Sequence, residues 1–265
     1  MTGAPPVIEL EGAAFGYEDR TIVSDLDLTV RRGEVVAVLG PNGSGKSTLV
    51  KGLLGLSELH AGSARVLGHE VGSPGARAGI GYVPQRHTLA SAVRATAAEI
   101  VTMGRTVRTP WWAPWRIRDA AGRDLVHESL SVVGLADLAT HDVATLSGGQ
   151  QRRVLIARAL ASRADVFLMD EPTAGVDRGH QAVLVAVMRR LVERGATLVI
   201  VTHELDALAD IVTRTVVVRG GGIQQDCAPA QLAAGEQAHT HHSDEGAAPP
   251  STVPTTIITT KGGPR

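Results

Sequence analysis

The sequence predicts an α/β fold: a mostly parallel sheet core with a helical insertion. Three observations carry this expectation. The apolar run Val35–Leu39 leads into a glycine-rich loop and then a segment at helical spacing, residues 46–56. Further apolar runs at 166–169, 198–201 and 215–218 alternate with helical patterns, as in a parallel sheet. From Leu89 to about Leu138 the texture changes to alanine, charge and 3.6-residue spacing, with a Pro/Trp-rich break at 109–114.

Taken in order, residues 7–10 and 25–30 alternate apolar and polar side chains, as half-buried strands do. Arg31-Arg32-Gly33-Glu34 reads as a turn into Val35–Leu39, whose unbroken apolar character marks a strand buried on both faces. Residues 65–67 and Ile80–Val83 are short strand candidates. Residues 150–161 and 181–193 are helices, and 166–169, 198–201 and 215–218 are further strands. The pattern dissolves after about Leu232, so the expected organisation is one domain over 1–235, with a helical subdomain at about 86–155, and a flexible His/Pro/Thr-rich tail over 236–265.

The 265 residues are 43% hydrophobic and 20% charged, enough apolar material for a core of normal size. A net charge of -1 lacks the basic excess that nucleic-acid binding usually leaves, and no nucleic-acid partner is expected. The one cysteine, Cys227, cannot form an internal disulfide and fits a reducing compartment. The N-terminus has no basic run followed by an apolar stretch, so no signal peptide is expected. No window reaches the ~18 apolar residues of a membrane span, so work at a membrane would require another chain to cross it.

Gly40-Pro41-Asn42-Gly43-Ser44-Gly45-Lys46-Ser47 matches G-x-x-x-x-G-K-[ST] between a buried strand and a helix. The glycines let backbone N–H groups converge on phosphates, and the helix that Thr48 continues adds the positive end of its dipole. Lys46 is expected to reach the β- and γ-phosphates, and the Ser47 hydroxyl to ligate Mg²⁺. Asp170 and Glu171 follow the apolar run 166–169, at the end of a strand where ligands gather in open α/β sheets. Beside a phosphate loop, Asp170 is expected to hold Mg²⁺ through water and Glu171 to deprotonate the attacking water. His203 follows another run of the same sheet and is assigned to the γ-phosphate and the water.

Leu146-Ser147-Gly148-Gly149-Gln150 opens a helix, and Ser147 with Gln150 satisfies the S-x-x-Q capping box. Capping alone does not call for two consecutive glycines, which permit close backbone approach. The order of phosphate loop, L-S-G-G-Q, apolar strand with Asp-Glu, and histidine resembles the ABC ATPases over residues 7–226. The resemblance implies a two-lobed P-loop NTPase, with a RecA-like core, a small antiparallel β region at the N-terminus and a helical insertion subdomain, that hydrolyses ATP with Mg²⁺. It implies that Tyr17 stacks on adenine, and that Gln85 contacts Mg²⁺ and water and hinges the helical lobe. It further implies that Ser147, Gly148, Gly149 and Gln150 bind the γ-phosphate of ATP held by a second copy of the chain, with Asp177 in the loop that speaks across that dimer.

One such unit, with only about sixty residues between Gln85 and Leu146, excludes the long coiled coil of chromosome ATPases and lacks the tandem pair of translation factors. The resemblance therefore implies a transporter motor, working with integral membrane permease subunits, and with a substrate-binding protein if an importer. It would sit peripherally on the cytoplasmic face of the membrane. Ile100-Val101-Thr102-Met103-Gly104-Arg105, Ala174-Gly175-Val176-Asp177 and residues 132–138 resemble the zinc/manganese importer branch. Two departures stand against it: residues 86–93 lack the usual Phe-Pro, and Glu204 replaces an aspartate. A transporter motor for another cargo and a non-transport regulator are the alternatives. His239, His241 and His242 with Asp244 and Glu245 read either as a polar tail or as a weak metal sensor. Trp111, Trp112 and Trp115 read either as the insertion's own core or as an interface anchor.

Overall fold

The computed structural model describes residues 4–85, 94–109, 112, 113, 117, 119–174, 176, 178–203 and 205–231. Residues Met1–Pro229 form one compact unit and Ala230–Arg265 a second, of which only 230 and 231 are described. The tail over 236–265 with its histidines, residues 86–93, Trp111, Trp115, Gly175, Asp177 and Glu204 therefore lie outside the described residues.

The N-terminal region is a four-stranded antiparallel sheet. Strands β1 (Pro6–Tyr17) and β2 (Arg20–Arg31) form a hairpin through the two residues Glu18 and Asp19, and β4 (Glu58–Val66) and β5 (His69–Glu70) complete the order β2-β1-β4-β5. The second sheet has the order β10-β9-β3-β8-β7-β6, from β3 (Val35–Leu39), β6 (Ile80–Val83), β7 (Val166–Asp170), β8 (Thr197–Val201), β9 (Arg214–Arg219) and β10 (Gly222–Cys227). Its strands pair in parallel except at the β9–β10 edge.

The unbroken apolar runs are explained by cover on both faces. Val36, Val38, Leu168 and Val199 join a core with β1 and with Leu49, Val50 and Leu53 of helix α1 (Lys46–Leu53). Val35, Ala37, Phe167, Met169, Leu198 and Ile200 point the other way. They meet Leu155 and Ile156 of α5 (Gly148–Ala161) and Leu184 and Met188 of α6 (Arg178–Glu193). Each buried Val, Leu, Ile, Phe or Met among them contributes about 1.5–3 kcal/mol relative to exposure. Fully buried Phe15 of β1 lies against Gly52 of α1, where a Cβ would come within 2.6 Å of the ring. That glycine lets the antiparallel sheet close on the first helix.

The short α2 (Pro74–Ala78) precedes β6. The insertion holds α3 (Ala97–Met103), started by a Thr96/Glu99 capping box, and α4 (Ala120–Val132), capped by Asp119. Both share the second core with α5 through Ile100, Leu130 and Leu155. Trp112 is exposed.

Three expectations are corrected. Helix α1 stops at Leu53 rather than 56, because Gly55 turns into the left-handed region (φ 67°) and the Leu56 N–H folds back to the Lys51 carbonyl. Helices α5 and α6 start two and three residues earlier than expected, at Gly148 and Arg178. The fold also contains α2, β5 and β10, which the apolar pattern does not announce, because β10 is a polar edge strand and the other two span five and two residues.

Candidate functional site

The loop between β3 and α1 closes on itself through three glycines in the left-handed region: Gly40 (φ 146°), Gly43 (φ 80°) and Gly45 (φ 105°). At Gly40 a Cβ would lie 2.1 Å from the Val218 carbonyl oxygen, and at Gly45 2.2 Å from Val23 Cγ1. Only glycine fits either place. No side chain caps α1 and no acidic residue sits in its first turn, so its positive end is left for an anion. Lys46 is buried and its Nζ donates to the carbonyls of Gly40 (2.6 Å) and Pro41 (2.9 Å). Ser44 Oγ is buried without a hydrogen-bond partner, a polar atom that a phosphate oxygen would satisfy.

Strand β7 ends in Asp170 and the next residue is Glu171, both buried. Burial first, and the neighbouring Glu171 charge second, hold the Asp170 carboxyl above the usual carboxylate range, while Lys46 and Lys51 pull it back. A cation would relieve the same strain. Glu171 has positive φ (49°) without being glycine, and its N–H donates to the Val201 carbonyl (2.8 Å). The register Asp170↔Val201 sets the ends of β7 and β8 side by side. His203, two residues past β8, thereby places Nδ1 2.9 Å from both carboxylate oxygens of Glu171.

A cleft of about 230 Å³ gathers Asn42, Gly43, Gly45, Lys46, Ser47, Thr48, Gln85, Asp170 and Glu171. Ser47 and Gln85 are exposed to it. It holds donors for phosphates, a hydroxyl, an amide and a carboxylate suited to a hard cation, and a second carboxylate with its histidine.

The profile of the family described as "ABC transporter" matches residues 23–174. The chain belongs to the ABC transporter family. It is an ABC ATPase subunit that binds nucleotide and hydrolyses ATP. The manganese transport system ATP-binding protein MntB of Halalkalibacterium halodurans is 36% identical over 200 residues, covering 76% of this chain and 78% of the relative. The zinc transport system ATP-binding protein TroB of Treponema pallidum is 34% identical over 212 residues, covering 80% and 77%. Relatives named for phosphonates import and glutamine transport match at 37% and 36%. A solved inward-facing conformation of a putative metal-chelate type ABC transporter superposes with a TM-score of 0.75 at 27% identity, covering 89% of this chain and 90% of that one.

Among the described residues of this ABC ATPase, Tyr17 and Ser147–Gln150 do not line the cleft. Tyr17 ends β1, partly exposed, with Lys51 Nζ 5.5 Å from its ring centroid. The Ser147–Gln150 capping box forms: the Gln150 N–H donates to Ser147 Oγ (3.3 Å) and the Ser147 N–H to Gln150 Oε1 (2.9 Å). Ser147 and Gly148 are exposed, and a Cβ at Gly148 would meet nothing within 4 Å. None of residues 147–150 lines the cleft.

Sequence reasoning missed two side chains in α5. Buried Gln151 donates from Nε2 to the carbonyls of Val143 (3.1 Å) and Leu146 (3.0 Å), fixing the approach to the L-S-G-G-Q turn. Buried Arg152 donates to the carbonyls of Pro172 (2.9 Å), Ala174 (2.8 Å) and Gln85 (3.2 Å). The available signal was weak: Gln150-Gln151-Arg152-Arg153 is a run of four long polar residues, more than a quarter-turn apart at each step, so that some of them turn toward the buried side of the helix.

Proposed function

We propose that the chain powers an importer of a divalent metal, zinc or manganese, by hydrolysing Mg-ATP at two composite sites between head-to-tail copies of itself. The observation that carries the hydrolytic part is the gathering of the glycine loop, Asp170, Glu171 and Gln85 about one cleft, with His203 on Glu171. Lys46 and Thr48 with the loop residues 40–45 hold the phosphates, and Tyr17 takes the adenine. Ser47, Asp170 and Gln85 hold Mg²⁺, which would neutralise charge on the phosphates when bound. Glu171 takes the proton of the attacking water. His203, bonded to that carboxylate, keeps it turned toward the water and reaches the γ-phosphate.

A second copy is needed because Ser147–Gln150 present a capped, acid-free helix start away from the chain's own cleft. The capping bonds occupy the Ser147 and Gln150 N–H groups and not those of Gly148 and Gly149, so an anion still has donors at this helix end, and the γ-phosphate it meets is that of ATP held by a partner, with Asp177 assigned to the loop that speaks across the dimer. No described helix is long and apolar enough to cross a membrane. Transport is assigned to integral membrane permease subunits, with this chain peripheral at the cytoplasmic face and a substrate-binding protein delivering cargo.

The metal reading rests on the manganese and zinc relatives. The phosphonate and glutamine relatives, equally similar, favour a second reading in which the same motor drives an importer of another cargo. Cellular zinc and manganese in metal-starved cells carrying wild-type or Lys46→Ala protein separate the two. Loss of one metal in the variant supports metal import and names the cargo; unchanged levels of both leave the second reading.

A further inference from the structure

Arg152 lies in the second turn of α5, yet its side chain is turned inward and buried. Its guanidinium reaches two separate stretches of backbone. Nη1 donates to the carbonyls of Pro172 and Ala174, one and three residues after Glu171, and Nη2 to that of Gln85, which also lines the cleft. A planar fork with five donors holds carbonyls of separate segments at fixed mutual distances, whereas a lysine's ammonium gathers its acceptors about one point.

Glu171 needs such a hold. A non-glycine residue at φ 49° keeps that conformation only where its surroundings impose it. On its N-terminal side the backbone is paired to β8 through Val201. On its C-terminal side the carbonyls of Pro172 and Ala174 are taken by Arg152. The Glu171 carboxylate in turn lies close enough to stabilise the guanidinium's charge against its burial.

We propose that Arg152 is a positioning residue for hydrolysis: it clamps the turn carrying Glu171 to the segment carrying Gln85, so that both flank the attacking water at one fixed separation. Because Arg152 stands five residues after Ser147 on the same helix, any tilt of α5 is passed to Glu171 through rigid bonds. This rests on Glu171 being the general base.

The test uses the full chain with Arg152→Gln, Arg152→Lys and Arg152→Ala, and Glu171→Gln as reference. ATP affinity and stoichiometry are measured with a fluorescent ATP analogue, kcat per bound nucleotide by phosphate release, and Tm by calorimetry. Arg152→Gln is expected to bind within about twofold of wild type, since the carbonyls of Pro172, Ala174 and Gln85 lie outside the phosphate loop, and to lose about 10–100-fold in kcat, the cost of a misplaced reacting group. Arg152→Lys falls between. Added guanidinium ion restores part of the kcat of Arg152→Ala, and does nothing for wild type or Glu171→Gln. Unchanged kcat in the Gln and Ala variants overturns the proposal, and so does a loss that only tracks reduced binding stoichiometry and Tm without guanidinium rescue. If Glu171→Gln is inactive while Arg152→Gln is not, the clamp alone fails. If Glu171→Gln hydrolyses ATP like wild type, the general-base reading fails and the clamp falls with it.

Discussion

His203 Nδ1 sits 2.9 Å from each oxygen of the Glu171 carboxylate, bridging the ends of two neighbouring parallel strands. A carboxylate so held has its remaining lone pairs aimed rather than free to turn. Glu171→Gln keeps the shape and removes the base. It should lower kcat by about 10²–10⁴-fold, the usual worth of general base catalysis, while ATP still binds. His203→Ala should lower kcat without weakening ATP binding more than a few-fold, because Lys46 and the loop remain. Single-turnover hydrolysis beside equilibrium binding checks both; a fall in affinity equal to the fall in kcat would place the two residues in binding instead.

Gly45→Ala tests the loop's geometry. The added methyl meets Val23 at 2.2 Å and the backbone stays at φ 105°. A cost of about 1–3 kcal/mol for such strain corresponds to a Tm lowered by roughly 2–12 °C in a domain of this size, with ATP affinity lost as well. Gly33 is the control: it too has positive φ (80°), but a Cβ there meets nothing within 4 Å. Gly33→Ala should lower Tm by the smaller amount and leave ATP affinity unchanged.

Two defective chains should repair each other. Lys46→Ala disables the phosphate loop and Ser147→Arg blocks the capped start of α5, so each variant alone is inactive. In a mixture, a dimer of one of each carries one site with both halves intact. Random pairing leaves roughly a quarter of all sites competent in a two-fold symmetric assembly. Recovery of ATPase on mixing checks this; an inactive mixture would mean that both halves of a site come from one chain.

Asp170 gives a pH signature. Its folded pKa is raised, by burial and then by Glu171. The folded protein thus holds this proton more tightly than the unfolded chain does. Its contribution to stability therefore falls as pH rises from the unfolded value, 3.8, through the folded one, and is constant above it. Asp170→Asn should raise the Tm of the nucleotide-free protein at pH 8, with the gain shrinking on acidification, and should abolish the extra stabilisation that Mg-ATP gives over ATP with chelator. A variant less stable than wild type at pH 8 would contradict this.

The parts readable from sequence were those in which local pattern and final environment agree. The runs of β3, β7 and β8 are apolar at every step because helices or a second sheet cover both faces. The phosphate loop was readable because its glycines act within eight residues. That His203 reaches the same crevice as Glu171 followed from both ending strands of one sheet, whereas the bond between them came only with the structure. Strand β4 was largely hidden: its first five residues are exposed, and pairing with β1 rather than burial makes it a strand. Arg152 was hidden for a different reason. The acceptors described above are backbone carbonyls up to 67 positions away, and a carbonyl leaves no mark in the sequence.

The Lys46 amine donates to two carbonyls of its own loop. A phosphate entering there does not give that charge its first partners; it takes the place of partners already present. Binding at this amine is an exchange, and the gain is only the difference between two sets of hydrogen bonds. The loop can therefore grip strongly and still let go, which suits a motor that must clear spent nucleotide on every stroke.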